Sequence, residues 1–384
     1  MSDRLDWDKD GADWPNRATS RFVTAGELRW HVQIMGDGPV LLLLHGAGSS
    51  THSWRDLAPL LARRFTIVAP DLPGHGFTQA PRARDMSTDG MAKAVSSLVA
   101  ALDMNPAYAA GHSAGAAILC RMRVERAIEP RLLFSLNGAL LPFDGFAGRV
   151  FSPLAKMMFK NTLIPAPRLF AWLASERSSV ERTLRNVGAH LDRRGVEFYA
   201  RLFRNPGHVG ATLGMMAHWD LKSLRRDLPR LDSHLVLVAT EDDRAIPVRD
   251  AHAAAGLVPG SRKIILRRGG HLLHEERPEE AFDLIVAAIE QDEAGSASPA
   301  PSVFPPAPPA RHVGGVGKAA RGQKKPHPAP PQAGQGGAQG EDQAKAGQEV
   351  QQEAPAAGPP VQKKKHRLAR HQDQDQIGDA PARK

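Results

Sequence analysis

A single cysteine, Cys120, stands in a chain of 384 residues, so an internal disulfide is excluded and the fold must hold by burial and hydrogen bonding. Aromatic residues are scarce, at 5%. They are also uneven: all six Trp and both Tyr precede residue 220, and Phe304 is the only aromatic beyond residue 291. Long apolar runs are missing too. The longest strand-like one, "VLLLLHG", falls far short of the roughly 20 residues needed to cross a bilayer as a helix. The opening "MSDRLDWDKDG" is acidic and polar, unlike a secretory signal, which leads us to expect a cytoplasmic protein, at most peripheral to a membrane.

From Asp292 onward the composition shifts to Pro, Ala, Gly, Gln and Lys, as in "PSVFPPAPPA" and "QAGQGGAQGEDQAKAGQ". Such a stretch buries too little apolar surface to offset its ordering entropy, so 292–384 reads as a disordered tail. The net charge of +9 is divided between body and tail, a mild excess that favours solubility and predicts no nucleic-acid footprint. The run Lys363-Lys364-Lys365-His366-Arg367 reads as part of a solvated tail.

Within the body, "RFVTAGELRWHVQIM" predicts a hairpin turning at Ala25-Gly26-Glu27. "VLLLLHG", "FTIVAPDLPGHG", "AYAAG", "RLLFSLNGALL", "SHLVLVAT" and "SRKIILRRGG" are short apolar runs that end in turn residues. That is the pattern of strands buried on both faces. Segments with helical spacing alternate with them, including "MSTDGMAKAVSSLVAAL", "AGAAILCRMRVERA", "VRDAHAAAGLV" and "PEEAFDLIVAAIEQ". The alternation predicts an α/β fold with a mostly parallel sheet covered on both sides. An interruption with helical spacing predicts a helical cap, in which Leu154, Met157, Met158, Leu163 and Ile164 form an apolar stripe. We therefore expect a core in two parts, 1–141 and 221–291, a cap at 142–220 and the tail at 292–384.

The chemistry centres on "GHSAG". Gly111 and Gly115 flank Ser113 in a G-x-S-x-G turn, which joins a strand to a helix and lifts the serine above the sheet. A serine hydroxyl needs a base to take its proton and a third group to orient that base. In enzymes with this turn the acid and then the histidine follow in chain order. Asp242 or Asp243 comes just after the strand "LVLVAT", and His271 just after "KIILRRGG". All three therefore gather at the carboxyl edge of the sheet, where open α/β folds bind ligands. Backbone amides of Ala114 and of Ala47, between Gly46 and Gly48, are the expected oxyanion hole. His112 is expected to be scaffold and Asp71 in "DLPGHG" to hold a turn, while His271 and His274 in "HLLH" make a weak metal pattern. We predict no metal and no cofactor.

These residues and motifs resemble the α/β-hydrolase superfamily over about residues 20–291, through "LLLLHGAGSSTHSWRDL", "APDLPGHGFT", "GHSAGAA", "EDDRAIP" and "GGHLLHEERPEE". The superfamily's acid motif, G-x-x-D, aligns Asp243 with the acid and sets Thr240 where the glycine stands. A narrower resemblance, carried by "LDWDKDGADWPNRATSRFV", "LRWHVQ", "HSWRDLAPLLARRFTIVAPDLPGHGFT" and "MMAHWDL", is to the BchO-type magnesium-chelatase accessory proteins of bacteriochlorophyll biosynthesis. It implies a photosynthetic setting near magnesium insertion into protoporphyrin IX, with chelatase subunits as partners and the photosynthetic membrane nearby.

Two functions follow as expectations. One is a serine hydrolase of a small hydrophobic ester, such as a tetrapyrrole or its precursor, using Ser113, His271 and Asp243. The other is a tetrapyrrole-binding or chelatase accessory protein on an unused hydrolase scaffold, with His190, His208 and His218 of the cap as candidate ligands for a chelated magnesium.

Overall fold

The computed structural model describes residues 4–142, 167–168, 171, 176–231 and 234–297. The stripe Leu154, Met157, Met158, Leu163 and Ile164 lies outside the described residues. Eight strands form one sheet: β1 (Ser20–Ala25), β2 (Leu28–Met35), β3 (Val40–Leu44), β4 (Thr66–Pro70), β5 (Tyr108–His112), β6 (Leu132–Leu136), β7 (His234–Thr240) and β8 (Arg262–Leu266). Their spatial order is β1-β2-β4-β3-β5-β6-β7-β8. The expected hairpin is β1 with β2; β2 also runs antiparallel to β4, and every later pairing is parallel.

Why the strands read as unbroken apolar runs is clear from what covers them. On one face β2, β3 and β5 pack on α2 (Thr88–Ala101) and α3 (Ala114–Val124), with Leu42, Leu44, Met91, Val95 and Ile118 buried together. On the other, Leu41, Leu43, Phe134 and Val236 meet α1 (Leu57–Leu61) and Ile285 and Ile289 of the closing helix. Successive leucines of β3 thus face opposite cores, as a strand's period of two dictates. A fully buried leucine is worth roughly 2 kcal/mol, so the four in β3 anchor the middle of the sheet.

Between β6 and β7 the described residues form α4 (Arg177–Asn186), α5 (Arg193–Phe203), α6 (Pro206–His218) and α7 (Lys222–Asp227). Asp192 accepts the Gly195 amide and Asn205 the His208 amide, so each of α5 and α6 begins at a side-chain cap. After β7 come α8 (Val248–Leu257), α9 (Leu273–Glu276) and α10 (Pro278–Ala297).

The closing helix runs past the boundary expected at Asp292. Asp292 Oδ1 lies 2.8 Å from His234 Nδ1 and Tyr108 donates to Glu293 at 2.7 Å, so acidic residues that read as the start of a tail tie α10 to β7 and β5. The acidic N-terminal stretch is also part of the body. Trp14 is 2% exposed and packs edge-on against Phe77 of the core and Phe198 of α5.

Candidate active site

Ser113 sits where β5 turns into α3, at φ 50° and ψ −115°, a left-handed backbone that a residue with a Cβ adopts only under strain. The glycines on either side make the turn possible. A Cβ at Gly111 would stand 2.4 Å from the Ala116 amide nitrogen, and one at Gly115 would stand 2.2 Å from the Leu44 carbonyl. The turn is fixed from below, since the Ser113 amide donates to Leu136 O at 3.1 Å and its carbonyl accepts from Ala139 at 3.0 Å.

Of the two candidate acids, Asp243 has a fully buried side chain, whereas Asp242 is exposed. Asp243 Oδ1 accepts the Ala245 and Ile246 amides at 2.7 and 2.8 Å, and Oδ2 accepts from His271 Nδ1–H at 2.8 Å. With Nδ1 so engaged, the His271 tautomer that leaves Nε2 free to accept a proton is favoured. Among the described residues Ser113 Oγ forms no hydrogen bond; contacts of this kind commonly tighten only around a substrate. His112, the residue before Ser113, is tied to His271: their ring centroids lie 4.6 Å apart and His112 Nε2–H donates to the His271 carbonyl at 2.9 Å.

The loop after β3 approaches the serine closely. A Cβ at Gly46 would stand 3.1 Å from Ser113 Cβ, and Gly48 adopts φ 77°. Ala47 between them is exposed, while Ala114 is 4% exposed at the N-terminus of α3. The two expected oxyanion residues therefore flank Ser113, one from the loop and one from the helix start.

His112 is scaffold, as expected. Burial, with His274 and His271 nearby, holds it well below the usual imidazole range and so neutral. Asp71 also keeps its expected role: its Oδ1 accepts the Thr51 amide at 2.7 Å, and its Oδ2 accepts the Phe77 amide at 2.9 Å and His31 Nδ1–H at 2.7 Å. His274 is fully buried, pushed down to about 3 by desolvation, and its Nε2 lies 2.6 Å from Ser53 Oγ.

Two of the three cap histidines are already engaged. His208 accepts the Gly76 amide at Nδ1 and donates from Nε2 to Gly48 O, which leaves no lone pair for a metal. His218 donates to its own helix at Gly214 O, and His190 is exposed. Among the described residues no cluster of three His, Cys, Asp or Glu is arranged to hold a metal ion. No helix among them is long and apolar enough to cross a membrane.

Sequence reasoning missed a group of buried polar residues around this site. Asn137, just after β6, bridges β7 and the His271 loop. Tyr199 of α5 donates to Glu275 Oε1 at 2.6 Å, and Ser49 Oγ lies 3.1 Å from the same phenol. Burial raises the Glu275 carboxyl to about 7. A lone Asn after a strand, or a Tyr in a cap helix, carries no signal of such partners at sequence level.

Comparison with known proteins agrees with this architecture. The family model described as "Alpha/beta hydrolase family" matches residues 41–284. The magnesium-chelatase 30 kDa subunit of Rhodobacter capsulatus is 37% identical over 268 residues, 69% of this chain and 92% of that protein. A pimeloyl-[acyl-carrier protein] methyl ester esterase of Xanthomonas oryzae is 28% identical, covering 67% of this chain and 99% of its own. Among solved structures, an alpha/beta hydrolase fold protein from Burkholderia ambifaria superposes with a TM-score of 0.60 at 23% identity, over 70% of this chain and 97% of that one.

Proposed function

The chain belongs to the alpha/beta hydrolase family, and on that premise we propose that it is a serine hydrolase of ester-type acyl substrates. The observation that carries this reading is the His271 Nδ1–Asp243 Oδ2 contact of 2.8 Å, set beside a serine held in a strained strand-to-helix turn. In the proposed reaction Ser113 Oγ attacks the acyl carbon as His271 Nε2 takes its proton. The Asp243 carboxylate orients His271 and stabilises the imidazolium. The Ala47 and Ala114 amides hold the oxyanion, a contribution of about 3 kcal/mol per donor in related chemistry. His271 then returns the proton to the departing alkoxide, and water repeats the sequence in reverse to release the acid.

The setting proposed for this reaction is bacteriochlorophyll biosynthesis, close to magnesium insertion. It is supported by the 37% identity to a protein named for magnesium chelatase. The same name supports a second reading, a tetrapyrrole-binding or chelatase accessory protein whose triad is idle.

One experiment separates the two. The full-length protein is treated with a fluorophosphonate probe and read by intact mass, with Ser113→Ala and His271→Ala as controls. One adduct per chain, lost in both variants, supports the hydrolase. A folded protein that takes up no probe removes it in favour of the accessory reading.

A further inference from the structure

Two consecutive backbone carbonyls, of Gly270 and His271, receive side-chain donors from three adjacent parallel strands. From the end of β5, His112 Nε2–H donates to His271 O at 2.9 Å. From just beyond β6, Asn137 Nδ2 donates to Gly270 O at 3.0 Å and to His271 O at 3.1 Å. From the last residue of β7, the Thr240 hydroxyl donates to Gly270 O at 3.1 Å. Asn137 Oδ1 also accepts the Thr240 amide at 3.0 Å, so one amide side chain binds both the strand that leads to Asp243 and the loop that carries His271.

Every donor is buried: His112, Asn137 and Thr240 are 2%, 3% and 0% exposed. Asn137 adopts φ 45°, a left-handed conformation that asparagine tolerates better than most residues. Ordinary loop packing does not require four donations on two successive peptides, nor a strained residue to make two of them. The Thr240 hydroxyl is one of the four donors.

We infer that His112, Asn137 and Thr240 are positioning residues that fix the His271 backbone, and through it the alignment of the imidazole between Asp243 and Ser113. None of the three touches substrate. They act through His271, and the inference rests on the serine-hydrolase reading. Misplacement of a reacting group by about 1 Å can cost roughly a hundredfold in rate, which sets the size of the effect to look for.

The test is the rate constant of fluorophosphonate labelling, with the folded fraction read by circular dichroism, in full-length protein carrying Thr240→Val, Thr240→Ser, Asn137→Ala, His112→Gln or His112→Leu. Thr240→Val keeps the shape and loses the hydroxyl, and should slow labelling about fivefold, the worth of one hydrogen bond. Thr240→Ser should restore it. Asn137→Ala should slow it by up to about a hundredfold. His112→Gln, which can still present an N–H near the Nε2 position, should label faster than His112→Leu. Variants that label like wild type, or Thr240→Ser and His112→Gln proteins that label no faster than Thr240→Val and His112→Leu, would overturn the inference, since a merely structural loss is not rescued by returning the donor. Wild type that fails to label overturns the hydrolase reading itself and is distinguished from the first case by that control alone.

Discussion

Tyr199 donates its hydroxyl to Glu275 at 2.6 Å, and this contact ties helix α5 to the turn that follows His271. The carboxylate is almost wholly buried, and its second oxygen has no partner among the described residues. Its titration should therefore be felt by the whole fold.

The sign follows from the raised value. Glu275 titrates at about 7 when folded, against 4.5 as its ordinary value. Below 4.5 the group is protonated in both states and its contribution is fully present; that contribution is lost as pH rises through 7. Glu275→Gln, which keeps an acceptor for Tyr199 and cannot ionise, should raise the melting temperature at pH 8. At pH 4 it should match wild type. Thermal melts across that window check both limits, and a gain of equal size at both would contradict the assignment.

Asp71 runs the other way. Burial alone would raise its carboxyl, but His31, His45 and the Phe77 amide outweigh burial and hold it well below its usual 3.8. Its stabilising effect is present above 3.8 and disappears as pH falls through the folded value. Asp71→Ala leaves His31 buried without its partner and frees the Thr51 and Phe77 amides, so a loss of about 3–5 kcal/mol is expected in urea titration at pH 7.

The serine turn should show a trade between strain and function. Ser113 at φ 50° stores about 1–3 kcal/mol, which glycine would release. Ser113→Gly should thus raise the midpoint of unfolding while abolishing probe labelling. Ser113→Ala keeps the Cβ, and should abolish labelling without the gain.

Much of this site was legible because its parts follow the same grammar. Ser113, Asp243 and His271 each come just after an apolar strand, and a parallel sheet aligns such positions along one edge. Asp243 was favoured over Asp242 through the G-x-x-D likeness and not through local pattern, because adjacent acidic residues differ only in which one the turn buries. Asn137, Tyr199 and Glu275 were hidden for another reason. Their partners lie far away in sequence, as with Asn137 and Thr240, 103 positions apart, and no local period marks such a bond. The extent of α10 was misjudged because composition changes at Asp292, whereas the hydrogen bonds of Asp292 and Glu293 hold the helix on to Ala297.

The N-terminal stretch gives the last expectation. Though acidic and polar, it is held on the body: Trp14 donates to Thr51 at 3.0 Å, and Arg201 of α5 reaches back to Asp13 at 2.6 Å and Asp10 O at 2.5 Å. Trp14 thus fills the seam between Phe77 and Phe198, where core and α5 meet. Trp14→Ala should cost about 3–5 kcal/mol by the cavity it leaves. Its particular signature should be local. The seam opens first, so limited trypsin digestion should cut at Arg193, Arg194 or Arg201 well below the melting temperature, while α2 and α3 stay protected. Asp13→Asn weakens only an exposed ion pair, and should change stability by less than about 1 kcal/mol. A Trp14→Ala protein that resists trypsin at those sites as wild type does would show that α5 is held by the core alone.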